Sequence, residues 1–112
     1  IHRARSLLAL PQPPTAIFAA NDQSAIGVYL VADEMGLRIP DDLSVIGFDN
    51  IPESKYMGLT TVDQFISEMG FVATQMLIKL INHETLDTQT YRMDTKLVIR
   101  NSCRENFVRV TS

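Results

Sequence analysis

The sequence holds 112 residues, 46% of them hydrophobic and 21% charged, with a formal net charge of −3. That is one domain with room for a modest core, and its scattered basic residues, Arg3 and Arg5 near the start included, do not make a nucleic-acid surface. Cys103 is the single cysteine, which excludes an internal disulfide and a cysteine-rich metal site and fits a reducing compartment, and no apolar run is long enough for a signal segment or a bilayer span.

The chain opens at Ile1 and not at methionine, so it is expected to be a piece of a longer protein. Residues 1–10 set Ala4, Leu7, Leu8 and Leu10 among His2, Arg3 and Arg5, the pattern of the end of an amphipathic helix stopped before Pro11. Pro11-Gln12-Pro13-Pro14 is a stiff connection into a first buried strand, Thr15 to Ala20, which ends at Asn21-Asp22. A helix is predicted from about Gln23 to Met35, ended by Gly36, with Asp22 suited to its N-cap. Its apolar residues surround the cylinder, so more than one side must be covered. One face suits the sheet. Ile26, Tyr29 and Leu30 remain for a second subunit or for neighbouring helices.

The stretch from Ile39 to Asn50 reads as a turn, a short buried strand and a polar pair. Pro40 keeps Ile39 out of the helical region, and Leu43 to Phe48 is apolar apart from Ser44, as in a strand covered on both faces. Gly47 is expected to let the backbone leave the strand tightly. Asp49 then falls beyond the carboxyl end of a parallel strand, where open α/β sheets bind ligands, and Asn50 suits a turn. Residues 51–58 read as an irregular loop that exposes Tyr56 and Met57 for contact with a partner. Leu59-Thr60-Thr61-Val62 is a third short strand, with Asp63 suited to cap the next helix and Gln64 in its first turn.

That helix, about Gln64 to Asn82, is the most periodic segment. Ile66, Met69, Val72, Ala73, Met76, Leu77, Leu80 and Ile81 recur at three- and four-residue steps, and its methionines read as core filler. His83-Glu84 closes it, a favourable place for a cation and not a metal motif. Lys96 to Arg100 is a last strand whose flanking charges suit a sheet edge. Residues 104–112 lack helical periodicity and are expected to fray or to order only in a larger assembly.

No catalytic constellation emerges. None of the serines stands in a Gly-x-Ser-x-Gly elbow, and His2 and His83 fall near element ends, away from the polar pairs. Asp41-Asp42 after a proline reads as a solvated turn and not as an acid–base dyad, and no glycine-rich phosphate loop is present. An enzyme is therefore not expected, nor a metal or cofactor. Two strands that each end in an amide–carboxylate pair point to binding of a polar small molecule, with Asn21 and Asp49 as the contacts.

Pro14-Thr15-Ala16-Ile17-Phe18-Ala19-Ala20-Asn21-Asp22 with Ala25-Ile26-Gly27 resembles a signature of the LacI/GalR bacterial regulators. The run from Ile39 to Asn50 resembles a second, Leu59-Thr60-Thr61-Val62 with Gln64 and Gly70 a third, and Leu97 to Cys103 the closing strand. The resemblance implies the C-terminal lobe, residues 1–112, of a type I periplasmic-binding-protein-like domain: three-layer α/β, a mostly parallel sheet with helices on both faces. It implies a sugar-like effector held by Asn21 and Asp49, with Gln64 at the same rim, and homodimerisation through Ile26, Tyr29, Leu30, Tyr56 and Met57. DNA would be bound only through an N-terminal domain outside this sequence, in the cytoplasm and with no membrane contact. Met57-Gly58 depart from the family, which often carries a proline pair there, and the 51–58 loop is shorter. A transport-linked sugar-binding protein on the same fold is the rival reading.

Overall fold

Short apolar runs behind proline or glycine alternate along this sequence with helical periodicity, which builds parallel strands joined by helices. The computed structural model describes residues 1–106, so the expectation for 104–112 lies outside the described residues from 107 onward. In chain order the elements are α1 (His2–Leu8), β1 (Ala16–Phe18), α2 (Asp22–Glu34), β2 (Ser44–Ile46), α3 (Pro52–Met57), β3 (Thr61–Asp63), α4 (Ile66–Ile81) and β4 (Lys96–Val98).

The architecture is α/β. β1 and β2 are parallel, with Ile17 opposite Val45. A parallel bridge from Ile46 to Thr60 and the bonds from Gly47 N–H to Thr60 O and Asp49 N–H to Val62 O, both 2.9 Å, join β2 to β3. β4 then runs antiparallel to β3. The four strands thus lie in the order β1-β2-β3-β4, parallel except at β4. The core gathers Ala25, Val28, Val31 and Ala32 of α2 with Leu43, Val45 and Leu59, and α1 adds Ala4 and Leu8.

Ser102 closes the sheet from behind. Its buried hydroxyl accepts from Thr60 N–H at 2.8 Å and donates to Val45 O, while its carbonyl accepts from Val45 N–H at 2.9 Å. Beside it, burial pushes the Tyr29 phenol above its usual range. At the turn before β2, Asp42 accepts from both the backbone N–H (2.8 Å) and the Nε (3.0 Å) of Arg38, and Arg104 reaches Asp41 at 3.4 Å. The Asp41-Asp42 pair is therefore an ion-paired surface turn.

Three expectations are corrected. Residues 51–58 are not an irregular loop, because Pro52 starts a helix and Gly58 ends it with a left-handed backbone (φ 68°). Leu59 N–H donates to Ser54 O and Gly58 N–H to Lys55 O, the bond pair of a Schellman motif. Second, α4 starts at Ile66, not Gln64, and its methionines fill no core, since none of its residues is buried. Ile66, Phe71, Leu77 and Ile81 all lie open, and the radius of gyration of 19.1 Å exceeds the roughly 13 Å of a compact chain near this length. Periodicity specifies a helix with an apolar stripe, but it does not supply the surface that the stripe covers. Third, Gly47 is needed for a close approach and not for a tight exit: a Cβ there would stand 2.1 Å from Asp22 Oδ1 and 2.9 Å from Leu59 Cδ2.

Gly47→Ala should therefore cost about 2–4 kcal/mol of stability, as overpacking beside a buried carboxylate does, measured by denaturant unfolding. The Arg38 guanidinium holds the Asp42 carboxyl below its ordinary range. A carboxyl with a lowered pKa stabilises the folded state above its unfolded pKa, and that contribution is lost as pH falls through the folded pKa. Wild type is expected to exceed Asp42→Asn in melting temperature at neutral pH, with the gap closing on acidification below the ordinary aspartate range.

Candidate functional site

At the carboxyl end of β1 the chain turns directly into α2. Asn21 is extended (φ −157°, ψ 174°), and its Oδ1 accepts from Ser24 N–H at 2.8 Å. Asn21 is thus the N-cap, which corrects the expectation that Asp22 would be. An amide oxygen one residue before the helix reaches the third N–H of the first turn, whereas the next side chain points toward the sheet. Asp22 is accordingly fully buried, and its carboxylate accepts from Thr61 Oγ1 at 2.6 Å and from Ile51 N–H at 2.9 Å. Its backbone N–H donates to Phe48 O at 2.9 Å, which lays the end of β1 beside the exit of β2.

Beyond β2, Asp49 and Asn50 both have positive φ, 121° and 58°. Such backbone is strained for residues with a Cβ and persists only where the surroundings impose it. Asp49 N–H is still in the ladder with Val62 O, and its Oδ1 accepts from Gln64 Nε2 at 2.6 Å. Gln64 precedes α4, and freedom from the helix lets its side chain reach Asp49. Asp63 Oδ1 accepts from Phe65 N–H at 2.8 Å, which holds Phe65 in a left-handed conformation (φ 54°) at the start of α4.

A cavity of about 520 Å³ opens here, with Asp49, Asn50, Asp63, Phe65 and Ser67 among its walls. Asp49, on this wall, is brought into contact with Gln64, which does not itself line the cavity. Asn21 stands at the adjoining strand end but is not part of the cavity wall, and among the described residues its side chain makes no hydrogen bond besides the cap. One oxygen of Asp49 is held by an amide, which leaves the other as an acceptor for hydroxyl groups.

The sequence matches the family described as periplasmic binding protein-like domain over residues 1–103. It is 44% identical over 102 residues to the ribose operon repressor of Halalkalibacterium halodurans, covering 89% of this chain and 31% of the repressor. It superposes with a TM-score of 0.83 and 34% identity on a LacI-family transcriptional regulatory protein from Corynebacterium glutamicum, covering 94% of this chain and 41% of that one. A periplasmic binding protein/LacI transcriptional regulator from Alkaliphilus metalliredigens, solved with D-xylulofuranose, gives 0.78 at 30% identity over 94% of this chain and 39% of that one. The chain belongs to the LacI family, in its periplasmic-binding-protein-like domain. It spans about a third of the length of the curated relative it matches.

Five side chains of this LacI-family chain were expected at a dimer surface. Tyr56 on α3 is 88% exposed and Leu30 on α2 is 51% exposed. Tyr29 and Met57 are half-buried against the core. Ile26 and Leu30 border a mostly apolar hollow of about 690 Å³ that α2 shares with α1 and the outer edge of β1. Among the described residues no helix is long and apolar enough to cross a membrane.

Sequence reasoning passed over Asp22, Asp63 and Arg100 as parts of the rim. Arg100 Nη2 donates to Asn50 Oδ1 at 2.8 Å, and Asn50 Nδ2 donates to Asp63 Oδ2 at 3.2 Å. Asn50 is therefore more than the turn residue it was read as. For Asp22 and Asp63 the available signal was their place at strand ends; Arg100 carried no such signal. Asn21→Ala is expected to cost about 1 kcal/mol through the lost cap, while Asn21→Ser should stay within about 0.5 kcal/mol of wild type in urea unfolding.

Proposed function

We propose that this chain is the ligand-sensing and dimerisation part, the C-terminal lobe, of a LacI/GalR-type transcriptional regulator. It binds a sugar-like effector and is not an enzyme. The observation that carries this reading is the Asp49 carboxylate, held by Gln64 at 2.6 Å on the wall of a cavity at the carboxyl ends of parallel strands. A carboxylate oxygen accepts from adjacent hydroxyls, and the Asn21 amide at the next strand end both donates and accepts. The sugar bound by the Alkaliphilus metalliredigens protein and the name of the ribose operon repressor support the ligand class.

The homodimer forms through Ile26, Tyr29, Leu30, Tyr56 and Met57. DNA is contacted by an N-terminal domain of the intact regulator, which works in the cytoplasm, and the uncovered stripe of α4 packs on the rest of that protein. The effector shifts the balance between two arrangements by no more than its difference in affinity for them.

Asp49→Asn in the intact regulator should weaken binding of its sugar about tenfold or more, as the loss of a charged acceptor does, with the melting temperature little changed. Asn21→Ser, which keeps the cap, should weaken it by a smaller factor. Titration calorimetry and operator release read both. An unchanged response in both variants would remove the assignment, and a strictly monomeric intact protein would favour a transport-type sugar-binding protein instead.

A further inference from the structure

Two residues beyond β4, Arg100 carries its guanidinium in beneath the rim. Nη2 donates to Asn50 Oδ1 at 2.8 Å, and Nη1 donates to Ser54 Oγ and Leu59 O, both at 2.9 Å. Its backbone N–H donates to Thr60 Oγ1 at 2.9 Å, which fixes where the side chain begins. The ion pairs among the described residues involve Arg5, Arg38 and Arg104, so this half-buried cation is directed at neutral acceptors.

Asn50 is the acceptor on which the rim turns. Its oxygen faces Arg100, and its nitrogen donates to Asp63 Oδ2 at 3.2 Å. A primary amide suits this place, because it meets a cation at one end and an anion at the other. The second oxygen of Asp63 then holds Phe65 N–H. Asn50 and Phe65, the residues after Asp49 and Gln64, both have left-handed backbone, φ 58° and 54°. The relay from Arg100 through Asn50 and Asp63 to Phe65 therefore fixes the backbone on which Asp49 and Gln64 stand. Through the buried Ser54 and through Leu59, the same guanidinium grips α3, which carries Tyr56 and Met57.

We propose that Arg100 is a positioning residue that sets Asp49 and Gln64 toward the ligand and locks them to α3, so that the rim and the surface of α3 respond as one unit. The proposal rests on the reading of Asp49 and Gln64 as ligand contacts. A planar guanidinium can span Asn50, Ser54 and Leu59 at once; a lysine ammonium is a single point on a flexible stem and cannot.

Hydrogen–deuterium exchange on the intact regulator without ligand reads the relay separately from the effector. In Arg100→Lys, amides of 49–51, 54–59 and 63–65 should lose protection together by about tenfold, with α2 unchanged. Asn50→Asp keeps an acceptor for Arg100 but opposes Asp63, so protection should fall at 63–65 and hold at 54–59. Ser54→Ala should do the reverse, and this pair carries the test if Arg100→Lys fails to fold. Loss spread evenly over the domain, loss confined to 96–100, or the same pattern in Asn50→Asp and Ser54→Ala would overturn the proposal. Calorimetry with D-ribose and D-xylulose on wild type and Asp49→Asn tests the other premise. If Asp49→Asn binds a sugar as wild type does, the effector assignment fails while the exchange result still decides the relay.

Discussion

Asp22 is a buried carboxylate satisfied by a hydroxyl and a backbone N–H, Thr61 Oγ1 and Ile51, at the point where three elements converge. It stands in the first turn of α2, where the helix dipole favours negative charge. A buried carboxylate is tolerable only when its oxygens are paired, and here the pairing partners belong to β3 and to the start of α3. Its own N–H adds the exit of β2. The strand ends are thereby held in a fixed relation, and Gly47 leaves the space that the carboxylate occupies. The rim depends on this junction, since Asp49 and Gln64 lie just beyond the two strands that Asp22 ties together.

The rim itself is built by alternating charge and amide. Arg100 faces the oxygen of Asn50, the nitrogen of Asn50 faces Asp63, and Gln64 donates to Asp49. Amides placed between ions have one orientation, so under the proposed reading the hydrogen bonds offered to a ligand are set before it arrives. Rigid presentation lowers the ordering cost of binding. The strained backbone at Asp49, Asn50 and Phe65 fits that account, because positive φ in residues with a Cβ needs a surrounding network to hold it.

Much of this was legible from residue order. Gly36 stops α2 with left-handed backbone, and the apolar runs behind Pro13-Pro14 and Pro40 form neighbouring parallel strands. The helix α3 escaped because six residues are too few to show periodicity, although Pro52 and Gly58 marked both of its ends. The exchange of roles between Asn21 and Asp22 escaped for another reason. Both residue types cap helices, and only the direction of each side chain relative to β3 distinguishes them. Arg100 looked like an edge charge, since nothing nearby in sequence showed that Asn50 and Ser54 would lie beneath it.

The sequence by itself determined the order of the elements other than α3, the α/β class and the placement of Asn21 and Asp49 at strand ends, because these follow from local turn chemistry and from patterns of two and 3.6 residues. Tertiary structure decided which polar groups pair: Asp22 with Thr61, Asp49 with Gln64, Arg100 with Asn50. It also decided that no residue on the apolar stripe of α4 is fully buried among the described residues. A hydrogen bond has a direction and needs a partner at about 3 Å, and residues 15 to 50 positions apart reach that distance only after the sheet has brought them side by side.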